Sequence, residues 1–300
     1  MKDVAIYALP GNESFARALA GHLECALQRL TVHRFPDGEQ LVTLEGPLSG
    51  KSILIVCSLN RPDAKLLPLI FAADTARDLG ARHVILVAPY LCYLRQDARF
   101  HGGESVSASS FGRLLSASFD GLVAVEPHLH RLPSLSVVYS IPVRAPHSST
   151  ATAAWIAANI ANPLIVGPDD ESAAWVGQIA GRIGAPSVVA RKTRHGDARV
   201  SLDLHVPEAY AQCRPVVVDD ILASGQTMLA AVGALVKAGF GSPVCIAVHG
   251  LFDDVDVDTF IAAGASAVVT CNTVPHVTNA IDVTPVVSDA VRDLLDSLTP

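Results

Sequence analysis

The sequence predicts an α/β protein of two units, each with a mainly parallel sheet flanked by helices, and three observations carry that expectation. Short β-branched apolar runs alternate with amphipathic helical stretches along almost the whole chain, as parallel strands joined by crossover helices require. The 300 residues, half of them apolar, suffice for two cores of ordinary size. One passage, VVVDDILASGQTM at 216–228, joins an apolar strand to a helix through a short glycine-bearing loop, the junction at which α/β proteins place ligands.

Taken in order, the first strand falls at 4–8, so that MKDVAIYALP reads as a strand and not as a signal sequence. Further strands follow at 52–57, 83–88 and 121–125, each a run of branched apolar residues. Helical spacing of apolar side chains places helices at 65–79 and 109–117. A second series begins near residue 145, with helix 150–160, strand 164–166, helix 172–183 and strand 187–190. It continues with the strand before Asp219, a helix over 228–236, and strands 244–248 and 267–271. Between the series, IPVRAPHSST holds two prolines and a Ser/Thr run suited to capping a helix, dividing the chain into 1–144 and 145–300. Two polar segments, DARFHGGESV (97–106) and RKTRHGDARVSLD (191–203), follow strands and read as mobile loops at strand carboxyl ends.

A formal charge of -7 with no basic tract argues against a nucleic-acid partner. No apolar stretch reaches the length of a membrane span, which points to a cytoplasmic protein without membrane contact. The six cysteines show no close pair and suggest neither a zinc site nor a disulfide framework; they read as buried free thiols.

The chemistry concentrates in Asp219 to Thr227. N–H groups freed at a helix start, small hydroxyl side chains at Ser224 and Thr227, and a close backbone approach at Gly225 beside Gln226 make a site for a phosphate monoester. The adjacent carboxylates Asp219 and Asp220 are acceptors for ribose hydroxyls or ligands for magnesium. Read blandly, the same residues are a strand-to-helix turn whose aspartates only cap.

This loop resembles the phosphoribosyl diphosphate loop of type I phosphoribosyltransferases and of ribose-phosphate diphosphokinases. FPDGE (35–39), PYLCYLRQD (89–97), FHGGESVSA (100–108), GPD (167–169), K-x-R (192–194) and VVVDDI stand in the order and spacing of the second family. From about Gly11 to about Val277 the chain therefore resembles ribose-phosphate diphosphokinases, also called phosphoribosyl diphosphate synthetases, and more closely their archaeal-like branch.

The resemblance implies two phosphoribosyltransferase-like domains and transfer of the diphosphoryl group of ATP to O1 of ribose 5-phosphate, giving phosphoribosyl diphosphate and AMP. It assigns Phe35, Asp37 and Glu39 to a hairpin that reaches the adenine site of a neighbouring subunit, and Arg95, Gln96 and Asp97 to ATP. Asp219, Asp220, Ser224, Gly225, Gln226 and Thr227 take the ribose 5-phosphate. His128 and Asp169 are associated with Mg2+, His130 being a weaker candidate. Lys192 and Arg194 are the catalytic cations over the transferring phosphate. The expected assembly is a homo-oligomer, dimer or hexamer, with a shared active site between the domains and at a subunit contact. Two positions depart from the pattern: Ala223 stands where an acid is usual, and Ala98 where a cation is usual. A non-catalytic nucleotide-binding regulatory relative is the alternative, against which the presence of His128, Asp169, Lys192 and Arg194 speaks. A phosphoribosyltransferase would leave the N-terminal unit without a role.

Overall fold

The computed structural model describes the backbone of residues 1–129, 131–195, 199–253 and 255–298, and their side chains except at 192–195, 199–203 and 255. His130 lies outside the described residues, as do the side chains of Lys192 and Arg194. The chain divides into two compact units, residues 1–147 with 283–300, and residues 148–282.

In the first unit the elements run β1 (Val4–Ala8), α1 (Glu13–Leu23), β2 (Ala26–Leu27), β3 (Leu30–Arg34), β4 (Gln40–Leu44), β5 (Ser52–Val56), α2 (Asp63–Asp78), β6 (His83–Ala88), α3 (Ser107–Ser118), β7 (Gly121–Ala124) and β8 (Val143–Arg144). Six of the strands form one sheet in the order β2-β1-β5-β6-β7-β8, and every pairing is parallel. Its central strands Ile53 to Val56 and Val84 to Ala88 are buried on both faces, which is why they read as unbroken apolar runs. β3 and β4 form a separate antiparallel hairpin.

The second unit runs α4 (Ser149–Asn159), β9 (Pro163–Gly167), α5 (Ala173–Ile183), β10 (Ser187–Val189), β11 (Arg191–His195), β12 (Arg199–Asp203), β13 (Arg214–Leu222), α6 (Gln226–Lys237), β14 (Val244–Gly250), α7 (Val255–Ala262), β15 (Ala267–Cys271) and β16 (Asn279–Ile281). Its sheet, again all parallel, has the order β10-β9-β13-β14-β15-β16. The strand order reverses between β9 and β13, and at such a switch point the connections diverge and leave a crevice at the strand carboxyl ends. A core of Val217, Leu222, Met228, Val232, Leu235, Ala247 and Phe260 fixes α6 and α7 against β13 and β14.

The last helix, α8 (Thr284–Leu298), belongs to the first unit, where it packs on α1, β7 and β8. This differs from the sequence-based division at 144/145. The reason is its apolar stripe, Val287, Val291, Leu294 and Leu295, which is buried there. The segment 191–203, read as a loop, contains the antiparallel ribbon β11–β12, with Lys192 opposite Leu202 and Arg194 opposite Val200. β13 does not end before Asp219. It continues to Leu222, because the long β14 supplies partners beyond the acids, Ile221 opposite His249 and Leu222 opposite Gly250. None of the six cysteines is in a disulfide; Cys25 and Cys213 are half-buried and the other four buried.

Candidate active site

The switch point of the second unit brings together Asp169, at the end of β9, and the pair Asp219 and Asp220 in β13. A Cβ on Gly167 would lie 2.2 Å from Ser172 Oγ, so only glycine lets the chain after β9 fold back so tightly. Asp169 then caps the following turn, accepting the Glu171 N–H at 3.2 Å. Asp219 Oδ1 accepts the Asp220 N–H at 2.9 Å. Burial, reinforced by the charges of Asp220 and Asp169, pushes the Asp219 carboxyl well above the usual carboxylate range. Asp169 and Asp220 thus put negative charge on Asp219, and a hard cation bound beside these carboxylates would relieve that repulsion. Among the described residues no group of three or more His, Cys, Asp or Glu closes a metal cage. Magnesium suits this arrangement, since it is commonly held by one or two carboxylates with waters and substrate phosphates.

Beyond the acids, Ala223 and Ser224 lead to Gly225 at the N-terminus of α6. Gly225 has φ +68, and a Cβ there would lie 2.5 Å from Phe260 Cζ, so both the backbone and the packing demand glycine. Among the described residues no side chain caps α6, and its first turn holds no acidic residue. Its leading N–H groups therefore face a solvent-accessible loop in which Ser224 and Gln226 are exposed and Thr227 is half-buried. An uncapped helix start of twelve residues with adjacent hydroxyls is an anion cradle.

In the first unit, Arg95, Gln96 and Asp97 follow β6. Tyr93, at φ +60, anchors their segment by donating its hydroxyl to Asp63 Oδ1 at 2.7 Å. The loop beyond them closes on Glu104, whose Oε2 accepts the N–H groups of Phe100 and His101 at 3.0 Å each. Gln96 Nε2 donates to the Ala98 carbonyl at 3.2 Å and to Glu104 Oε2 at 3.4 Å. Asp97 is paired with Arg131, whose Nε donates to Asp97 Oδ1 at 3.0 Å. Burial would favour the neutral acid, but the hydrogen bonds and charge of Arg131 hold the Asp97 carboxyl below the usual range.

His128 stands on the loop after β7, in which Glu126 has a left-handed conformation, φ +37. Backbone strain of this kind gathers at sites where a side chain must be aimed. The Glu126 carboxylate accepts from His147 Nδ1 at 2.9 Å. Phe35, Asp37 and Glu39 occupy the tip of the β3–β4 hairpin, where Phe35 N donates to the Glu39 carbonyl at 2.8 Å and Asp37 Oδ1 accepts the Glu39 N–H at 3.1 Å. Phe35 is 41% exposed and meets His33 edge to face. Arg131, Glu104 and Phe260 were not singled out from the sequence. Glu104 lies inside FHGGESVSA and Arg131 directly follows VEPHLH, so proximity to those motifs was the available signal.

Residues 4–118 match the family described as the N-terminal domain of ribose phosphate pyrophosphokinase, and residues 147–284 match the phosphoribosyl transferase domain. The ribose-phosphate pyrophosphokinase of Methanopyrus kandleri is 31% identical over 294 residues, covering 96% of this chain and 99% of the relative. That of Halobacterium salinarum is 31% identical over 283 residues, covering 93% and 98%. The crystal structure of phosphoribosylpyrophosphate synthetase from Mycobacterium smegmatis shares the fold, with a TM-score of 0.84, 21% identity, and coverage of 98% of this chain and 99% of that one. With both domains matched in order and archaeal relatives similar from end to end, this chain belongs to the ribose-phosphate pyrophosphokinase family, on the side of its archaeal members.

Proposed function

We propose that the chain transfers the diphosphoryl group of ATP to O1 of ribose 5-phosphate, forming phosphoribosyl diphosphate and AMP. The observation that carries this reading is the pairing of Asp219 and Asp220 with the uncapped start of α6 at the switch point of the second unit, in a chain that matches the family over nearly its whole length. The 5-phosphate sits on the N–H groups at 225–227 with the hydroxyls of Ser224 and Thr227, and the two aspartates accept the ribose hydroxyls.

In the transfer, the ribose 1-oxygen bonds to the β-phosphorus as the bond from that phosphorus to the bridging oxygen of AMP breaks, and the hydroxyl proton passes to water. To Lys192 and Arg194, two positions apart in the sequence of β11, falls the neutralisation of charge on the transferring group. Positioning and charge neutralisation carry most of phosphoryl-transfer catalysis, so loss of either cation lowers the rate. Arg95 takes the polyphosphate, Gln96 the nucleotide, and the Phe35, Asp37 and Glu39 hairpin the adenine of a neighbouring copy. Asp169 and His128 are the residues that would hold Mg2+, with the negative charge of Asp219 and Asp220 beside Asp169 favouring the ion, and a bound ion would offset charge on the diphosphate.

A homo-oligomer, dimer or hexamer, with a shared site is supported by exposed apolar side chains on the hairpin and the helix beside it: Leu41 on β4, and Leu67 and Phe71 on α2. No helix among the described residues is long and apolar enough to cross a membrane.

The test is AMP release from ATP and magnesium with and without ribose 5-phosphate. Ribose-dependent AMP, with a product that a phosphoribosyltransferase accepts, is the expected result. ATP binding without any AMP would replace this reading with that of a non-catalytic nucleotide-binding relative.

A further inference from the structure

We infer that Arg131 is a positioning residue for ATP: held between Asp97 and Phe100, it locks the loop carrying Arg95 and Gln96 to the loop that leaves β7 with His128. The inference rests on the diphosphokinase reading of that segment.

Residues 95–104 lie outside strands and helices, so the sheet does not fix them. Glu104 folds the loop upon itself, and the Ala108 N–H to Gln96 carbonyl bond of 3.2 Å ties its base to α3. Arg131 adds the tie to the loop after β7, the strand next to β6 in the sheet. Its Nε and Nη2 both donate to Asp97 Oδ1, and its guanidinium carbon lies 4.5 Å from the centre of the Phe100 ring.

Asp97 shows how much depends on this one cation. Its side chain is 2% exposed, and Oδ2 is buried with no hydrogen-bond partner among the described residues. A carboxylate removed from water with half of its acceptor capacity unmet relies on the guanidinium that faces it. The planar fork donates two N–H groups while its face rests on an aromatic ring, which an ammonium cannot reproduce. Asp97 therefore serves ATP through Arg131 rather than by touching it, and the pair preorganises Arg95 and Gln96 before the nucleotide arrives.

The experiment compares wild type with R131A, R131K, D97N and the double variant D97N/R131A. It reads melting temperature, kcat, KM for each substrate, and the ATP dissociation constant by equilibrium dialysis. The expected result is a KM and dissociation constant for ATP raised roughly 10-fold in R131A and in D97N, with KM for ribose 5-phosphate unchanged. The double variant is expected to be no worse than the singles, because both break one contact, and R131K to lie between R131A and wild type. Should R131A fail to fold, R131K and D97N carry the comparison. Wild-type ATP affinity in R131K and D97N, additive losses in the double variant, or equal losses for both substrates would each overturn the inference. If wild type forms no ribose-dependent AMP, the functional reading fails, and the dialysis with ATP still decides the role of Arg131.

Discussion

At position 225 two independent constraints meet, a left-handed backbone and an aromatic ring 2.5 Å from where a Cβ would stand. Gly225→Ala should therefore cost about 2–4 kcal/mol, of which the backbone accounts for roughly 1. Urea unfolding measures the loss, and a midpoint within error of wild type would show that the loop rearranges freely. Asp219 leads to the opposite kind of prediction. Its folded carboxyl binds protons more tightly than the unfolded one, so between the two titration points the native state holds more protons and stability falls as pH rises. The favourable contribution is complete below the ordinary carboxylate value and is lost as pH rises through the folded value. Asp219→Asn removes that loss, so it should unfold at higher urea than wild type at pH 8 while losing ribose-dependent turnover. Magnesium should raise the melting temperature of wild type more than that of the variant. Equal pH dependence in the two proteins would exclude a strained carboxylate. Asp219 and Gly225 were legible in the sequence because their chemistry is written in adjacent residues. Phe260 and Arg131 were not, since each acts on a residue more than thirty positions away that only the fold brings near.

The elements most legible from the chain are the central strands, because burial on both faces leaves an uninterrupted apolar run: β6 and β15 lie at the predicted 83–88 and 267–271. Short edge strands such as β2 and β8, two residues each, carry no such run and exist through pairing with a neighbour. The ribbon β11–β12 escaped for a related reason, being polar and paired only with itself. α1 and α8 lay outside the predicted elements although both carry helical periodicity, Phe15, Leu19 and Leu23 in one and Val287, Val291 and Leu294 in the other. What sequence periodicity does not say is which sheet a helix covers. α8 follows the second unit in the chain and packs in the first, where Leu294 lies 3.0 Å from the Cβ position of Gly121 on β7. Leu294→Ala should destabilise the first unit by about 2–5 kcal/mol. Both tryptophans, Trp155 and Trp175, are in the second unit, so their fluorescence reports that unit alone. Loss of helical circular dichroism is expected at lower urea than the change in tryptophan emission. Coincident transitions shifted together would show that the two units unfold as one.

For the whole molecule, the decisive question is whether one copy completes a site by itself. The β3–β4 hairpin forms a sheet separate from the six-stranded one of its unit; its tip residue Phe35 is exposed, as are Leu41 on β4 and Leu67 and Phe71 on α2, the helix that contacts β4. An aromatic at a hairpin tip is easily supplied to a neighbour, while Lys192 belongs to a different ribbon in the other unit. If the adenine of one copy is held by the hairpin of another, lesions at the two places must complement. Phe35→Ala with Asp37→Ala in one copy removes the stacking face, and Lys192→Ala in the other removes the catalytic cation; each alone should lower turnover at least about 100-fold. In a pair containing one of each, one site receives both lesions and the other neither. Random pairing makes half of the dimers mixed, so co-expression should restore about a quarter of wild-type turnover, a value set by the two-fold symmetry of exchange and independent of how severe the lesions are. Turnover no higher than that of the separate variants would mean that each copy builds its site alone, and that the exposed hairpin serves only assembly.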